Sequence, residues 1–238
     1  MKFKLLLLSS LFILGACGED SSPVTNKDFE GVFFDNVTVT YDGESHILDE
    51  VKGAPQNTII TYTGRYSQSE AGVYEAIAVL SKEGYNDKTL KATLTIEAIN
   101  FTGITFEDYE TVYDGQVHEI KCSNVPSFAS VVYTNHSGTD AGLYKAKAVI
   151  TAPNYNPLTL EATMNIKNGT ISGVIFEDLT VKYDGEPHKI ECSNLPFGVS
   201  AIYENNVATE VGIYNTVVYI TGPNYNPLVL YAILTIEA

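Results

Sequence analysis

One unit of about 70 residues is written three times along this chain, and that repetition limits what it can fold into more than any other feature. Tyr41-Asp42-Gly43, Tyr113-Asp114-Gly115 and Tyr183-Asp184-Gly185 open the copies, and each is followed three residues later by a histidine, His46, His118 and His188. Further on, Ala71-Gly72-Val73-Tyr74 returns as Ala141-Gly142-Leu143-Tyr144 and as Val211-Gly212-Ile213-Tyr214, at intervals of 70 residues. Units of this size are supersecondary modules that recur as arrays, each with its own small core. Such an array suits a spacer or a binding rod better than a single catalytic cleft.

Within each copy apolar residues alternate with polar ones. In the second copy Tyr144, Ala146, Ala148 and Ile150 alternate with Lys145 and Lys147, and Leu158, Leu160, Ala162, Met164 and Ile166 alternate with Thr159, Glu161, Thr163 and Asn165. A period of two means strands with one packed face and one wet face. Between these two strands Pro153-Asn154-Tyr155-Asn156-Pro157 favours a turn and forbids a helix. Shorter strands are expected around Ile104 to Phe106, Thr111 to Tyr113, His118 to Cys122 and Ser130 to Tyr133. No stretch sustains a 3.6-residue period. The expected fold is therefore all-β: three tandem small antiparallel β-sandwiches, Ig-like, at the small end of what a core supports alone. Their boundaries fall at 27–98, 99–168 and 169–238, with joints only a few residues long.

The N-terminus reads as a targeting segment. Lys2 and Lys4 precede an apolar run from Leu5 to Leu14, too short to span a bilayer and suited to a secretory leader. Leu14-Gly15-Ala16-Cys17 resembles a bacterial lipobox, which implies cleavage after residue 16 and lipidation of Cys17. The alternative is an ordinary cleaved leader with an accidental cysteine. Two or more acyl chains hold a protein on its membrane, so the expected location is extracytoplasmic, lipid-anchored and surface-exposed. Residues 17–26, rich in Ser, Asp, Glu and Pro, read as a tether. Without Lys2 and Lys4 the chain carries 12 basic and 29 acidic residues, a net charge of −17. Such a surface repels phosphate backbones, and nucleic acid is not an expected partner. Cys122 and Cys192 occupy equivalent positions of the second and third copies, where a small buried hydrophobe or a disulfide between domains or molecules are the two readings.

Asp140-Ala141-Gly142-Leu143-Tyr144 resembles the tyrosine corner of immunoglobulin-like sandwiches, and Glu70 and Glu210 stand in the other copies where this one has Asp140. The repeat as a whole, with Tyr-Asp-Gly, the histidine, Ser193-Asn194-Leu195-Pro196, Ala-Gly-x-Tyr, Asn-Tyr-Asn and a closing Ala92-Thr93-Leu94-Thr95-Ile96, resembles the MBG and YDG-type repeats of bacterial surface proteins. That resemblance implies an extracellular tandem array of the adhesin kind, with no catalytic residues. The first copy departs from the pattern, with Val51-Lys52-Gly53-Ala54-Pro55 and a residue inserted before Tyr62, so its first-half loop is expected to be shaped differently.

The Asp and His pairs, Asp42 with His46 and their equivalents, hold the groups needed for metal binding or proton transfer. Asp-Gly is also the strongest hairpin-turn dipeptide, and three identical catalytic sites along one array would be unusual, so a turn is the preferred reading. No nucleophile with an oriented base and no calcium loop is spelled out, and no enzyme activity, metal or cofactor is expected.

Two features point to recognition. Tyr85, Tyr155 and Tyr225 sit with asparagines at the tip of the last hairpin, which is the composition of paratopes, the alternative being that each ring caps its own core. The outward positions Lys145, Lys147, Thr159, Glu161 and Thr163 of the second copy become Asn215, Val217, Val229, Tyr231 and Ile233 in the third, and Tyr219 adds to them. An apolar face at those positions marks a contact surface for a ligand, a partner protein or a second copy of the chain, unless another segment covers it. The expected function is a membrane-anchored surface lipoprotein acting as an adhesin-like interaction rod with a protein or glycan ligand. The alternative is a structural spacer without a dedicated ligand.

Overall fold

The structure, a computed structural model, describes residues 25–238. The leader and Cys17 lie outside the described residues. No helix occurs among them, and each copy of the repeat builds a four-stranded sheet that shares no strand with the others. The order is Val37–Thr40, Lys88–Glu97, Gly72–Ser81, Ile59–Gly64 in the first copy. It recurs as Tyr109–Val112, Leu158–Lys167, Gly142–Thr151, Ser130–Thr134 and as Leu179–Lys182, Leu228–Glu237, Gly212–Thr221, Ser200–Glu204. A second, minimal layer faces each sheet: a two-residue pair such as His118–Glu119 with Ser137–Gly138, and one bridge such as Thr105 with Ser123. The protein is an all-β tandem array of small β-sandwiches.

By compactness the chain forms two units, one ending at Glu97 and one spanning Ala98–Ala238. The first holds copy one and the second holds copies two and three.

The alternating pattern places the core as expected. In copy two Ala146, Ala148, Ile150, Met164 and Ile166 are buried, while Lys145, Lys147 and Glu161 on the same strands are exposed. In copy three Val218, Ile220, Leu234 and Ile236 take the same role. Thr216 replaces Ala146 at the centre and satisfies its buried hydroxyl by donating to the Asn205 carbonyl at 3.2 Å. Small residues at this row keep the second layer close to the sheet.

The sheets are not wholly antiparallel. The first strand of each copy lies parallel to the last, with Tyr109 to Val112 matching Met164 to Lys167 in register. Alternation reports which face a side chain takes and carries no strand direction, so a parallel edge is invisible to it. The short strands around the histidines are also briefer than expected, two residues at His118–Glu119.

Copy one follows the common plan more closely than its sequence implies. Gly53 takes φ +77°, matching the left-handed Asn124 and Asn194 of the other copies at φ +58°. Its neighbour Lys52 bridges to Phe33, as Ser123 bridges to Thr105. The extra residue is absorbed at exposed Asp49 and Glu50.

Candidate interaction surface on the third repeat

The hydroxyls of the corner tyrosines fix how the long hairpins enter their sheets. Tyr74, Tyr144 and Tyr214 donate to the carbonyls of Glu70, Asp140 and Glu210 at 2.9, 2.8 and 2.9 Å. Because the acceptor is backbone, exchanging Asp for Glu leaves this tyrosine corner intact. A second tyrosine bond recurs: Tyr62, Tyr133 and Tyr203 each accept, at 2.9 Å, from the backbone N–H of Val51, Cys122 and Cys192. Both cysteines are free and half-buried in the cores of their copies, and burial pushes their thiols up from the ordinary value.

The Asp and His pairs form turn geometry. In copy two Asp114 Oδ1 accepts from the Gln116 backbone N–H at 2.8 Å and meets His118 Nε2 at 3.0 Å, and Gly115 takes φ +78°. That backbone N–H, and secondly the imidazole, holds the Asp114 carboxyl below the ordinary carboxylate range. Asp42 and Asp184 repeat the arrangement with Glu44 and Glu186. One carboxylate oxygen serves both partners, which is an Asx turn locked by an imidazole. Among the described residues no group of three or more His, Cys, Asp or Glu side chains converges.

Tyr85 and Tyr155 lie against their own copies, while Tyr225 also reaches copy two. Tyr85 packs on Phe29 with ring centroids 4.9 Å apart, and Tyr155 stacks on Phe101 at 4.7 Å. Tyr225 meets Tyr113 edge-on at 5.3 Å and also packs in the cluster around buried Ile171. The rings stay half-buried: Tyr85 and Tyr155 take the capping arrangement, and Tyr225 both packs on its own core and meets the neighbouring copy.

Beside Tyr225, Asn224 does what composition did not reveal. Its side-chain amide donates to Asp140 Oδ1 at 2.8 Å, and its side-chain oxygen accepts from the Ala141 N–H at 2.8 Å. Its carbonyl also accepts from the Gly169 N–H at 2.8 Å. The left-handed φ of +67° at the hairpin tip aims the side chain at the corner of copy two. One asparagine thus joins copies two and three. The sequence held a signal in Asp140, which is Glu in the other two copies.

The outward face of copy three is apolar and open. Strand pairing sets Ile202, Tyr219 and Val229 in one row across three strands, and exposed Glu204, Val217 and Tyr231 in the next, so one carboxylate stands at the edge of this face. Ile233, opposite Asn215, and Ile213 extend the face. Tyr231 is 74% exposed, Ile213 72% and Ile202 65%, whereas Tyr219, Val229 and Ile233 stand at 39% each. Ile202 and Ile213 were not singled out from the sequence, and pairing them in register with known face positions would have found them. A shallow depression of about 360 Å3 lies here, lined by Asp178, Asn215, Tyr231 and Ile233. Asp178 Oδ1 accepts from the Ile233 N–H at 2.7 Å, so its carboxylate is part of the scaffold. The face offers contact area and two phenols.

The same rows in copy two read Val132, Val149, Thr159 and Thr134, Lys147, Glu161. In copy one the pair equivalent to Lys147 and Glu161 is Ile77 and Lys91, and Lys91 reaches diagonally to Glu75 in an ion pair at 3.0 Å. Three copies of one backbone therefore carry three different outer surfaces.

No family model matches the sequence, and no curated protein matches it. Among solved structures the chain is similar to a three-domain immunoglobulin fragment of titin, I67–I69, at 11% identity and a TM-score of 0.32, covering 87% of this chain and 99% of that one. It is also similar to the insect immune protein hemolin at 10% identity and a TM-score of 0.29, covering 85% and 74%. For the protocadherin gamma-B4 extracellular domain the figures are 12% and 0.31, covering 90% of this chain and 49% of that one.

Proposed function

We propose that this chain is a bacterial surface lipoprotein, anchored through Cys17, whose MBG or YDG-type Ig-like repeats serve as interaction modules. The observation that carries the interaction reading is the outer face of copy three. The outward pair that is Lys147 and Glu161 in copy two, and Ile77 and Lys91 in copy one, is Val217 and Tyr231 in copy three. The address rests on the lipobox-like Leu14-Gly15-Ala16-Cys17.

Two measurements test the two halves. Metabolic labelling with a palmitate analogue should mark the wild type and not Cys17→Ser, and an unlabelled wild type would overturn the anchor. Binding screens against proteins and glycans, run with the whole secreted chain and with Val217→Lys/Tyr231→Lys, should show a contact that the variant loses. A screen in which both behave alike would favour the spacer reading, which the Asn224 joint between copies two and three also supports.

A further inference from the structure

We infer that each repeat is a load-bearing element, whose entering and leaving strands are paired so that tension along the chain acts on them in shear. This rests on the reading above, in which lipid holds one end of the chain and a contact holds another part of it, since that arrangement is what would put the chain under tension. Among the described residues every parallel pairing joins the segment that enters a copy to the segment that leaves it. Val37–Thr40 runs with Leu94 to Glu97, Tyr109–Val112 with Met164 to Lys167, and Leu179–Lys182 with Leu234 to Glu237. A second parallel contact lies ahead of each: Lys27 with Tyr85, Ile99 with Tyr155, and Gly169–Thr170 with Tyr225–Asn226. The remaining pairings are antiparallel. Two parallel strands pulled from opposite ends slide past one another, so the bonds between them stretch together and must break together. A hairpin pulled at its open end loses its bonds one at a time.

The same pair of strands is stitched at both ends in every copy. The residue just ahead of the first strand, Asn36, Asp108 or Asp178, accepts through Oδ1 from the backbone N–H of Thr93, Thr163 or Ile233 on the last strand, at 2.8, 2.6 and 2.7 Å. At the far end Tyr41, Tyr113 and Tyr183 donate their N–H groups to the carbonyls of Glu97, Lys167 and Glu237 at 2.9, 2.8 and 2.7 Å. Copy two adds Glu110, which takes Lys167 in an ion pair and accepts from Asn165 Nδ2 at 3.2 Å across the two strands. The outer faces differ between the copies, whereas this stitching recurs in all of them.

The core resists the same motion. On the last strands Leu94 and Ile96, Met164 and Ile166, and Leu234 and Ile236 point inward and are buried. From the first strand, Val37 and Val39 pack on the core of copy one, as Leu179 and Val181 do in copy three. A slip of one residue would turn each inward side chain outward, so the pair cannot creep under load and must break outright. The lifetime of a copy under tension is then set by its barrier to unfolding. One chain passes the same force through each copy in turn, so a single copy without the stitch would be the weak link, and none lacks it.

Single-molecule pulling on the chain from residue 18 onward tests this, since every described element lies in residues 25–238. Held at its two ends, the chain should resist until each copy gives way abruptly. Handles moved to exposed Thr134 and Glu161, which share one row across three strands of copy two, apply the load at right angles to the strands. Copy two should then unfold at roughly half the force or less, because its bonds part in sequence. Asp108→Ala removes the acceptor for the Thr163 N–H, and should lower the lengthwise force of one copy while leaving the crosswise force where it was. A substitution that merely weakened the fold would lower both. Equal forces in the two directions would overturn the inference, and so would an Asp108→Ala chain whose lengthwise force is unchanged or whose crosswise force falls as far. Lipid on Cys17 with direction-independent forces would strike this inference alone, and direction-dependent forces without lipid would strike the anchor alone.

Discussion

Copies two and three differ most where their folds differ least. Both set Gly142–Thr151 or Gly212–Thr221 against its partner strand in the same register, and both bury the inward row almost completely. On the other side of the same strands, Lys147 faces Glu161 in one copy and Val217 faces Tyr231 in the other. A strand has two faces that answer to separate demands: the inner row is set by packing, and the outer row is free to be set by recognition.

The comparison breaks first if the inner rows are not equivalent. Met164 and Leu234 occupy the same inward position of copies two and three, and each is 0% exposed. Truncating either to alanine should cost about 2–5 kcal/mol, the range for large buried aliphatics that leave a cavity. Urea denaturation checks this, and a cost under about 1 kcal/mol at one site would mean that the two cores are not packed alike.

The joint comes next in size. Replacing Asn224 with Gly keeps the left-handed backbone of +67° while deleting both side-chain bonds to Asp140 and Ala141. Two hydrogen bonds net about 1–2 kcal/mol together. Calorimetry should show copies two and three, which share one compact unit in the wild type, melting as two less coupled transitions. A single unchanged transition would show that the asparagine does not couple them. Tyr144→Phe and Tyr214→Phe each remove one corner bond, to Asp140 or Glu210, and should cost a similar ~1 kcal/mol in both copies.

Much of this was legible in advance, for identifiable reasons. The corner tyrosines and the buried alternation at Ala146 to Ile150 were readable because both depend on local spacing. The outer face was readable because three copies supply their own comparison, position by position. The parallel edge strand was hidden because Tyr109 to Val112 joins Met164 to Lys167 through backbone bonds, on which side-chain pattern is silent. Asn224 was hidden for another reason: its partners Asp140 and Ala141 lie over 80 residues away, and an Asn-Tyr-Asn tip has the same composition whether it binds a ligand or a neighbouring module.

Acid should act on both copies equally and modestly. The Asp114 and Asp184 carboxyls are held below the ordinary value of 3.8, first by the N–H groups of Gln116 and Glu186 and then by the histidines. A carboxyl depressed in the folded state contributes its stability above its unfolded value and loses it as pH falls through its folded value. Both carboxylates are open to solvent, so the contribution is small. Thermal midpoints measured as the pH falls below about 4 should decline less steeply in Asp184→Asn than in the wild type. An identical decline would remove this turn from the acid response.

The smallest expected effect on stability is also the one that separates the two faces of the strands most cleanly. Exchanging the outer pairs, Lys147→Val/Glu161→Tyr in copy two and Val217→Lys/Tyr231→Glu in copy three, touches no buried side chain of either core. Substitutions on a solvent face usually change stability by no more than about 0.5 kcal/mol. The sign should differ between the copies, since Val and Tyr suit a pleated surface better than Lys and Glu: copy two gains slightly and copy three loses slightly. Binding through the outer face of copy three, measured in the screens above, should weaken while urea midpoints barely shift. A loss of about 2 kcal/mol or more in copy three would show that Val217 and Tyr231 help hold the sheet together, and the apolar outer row would then belong to the fold and not to recognition.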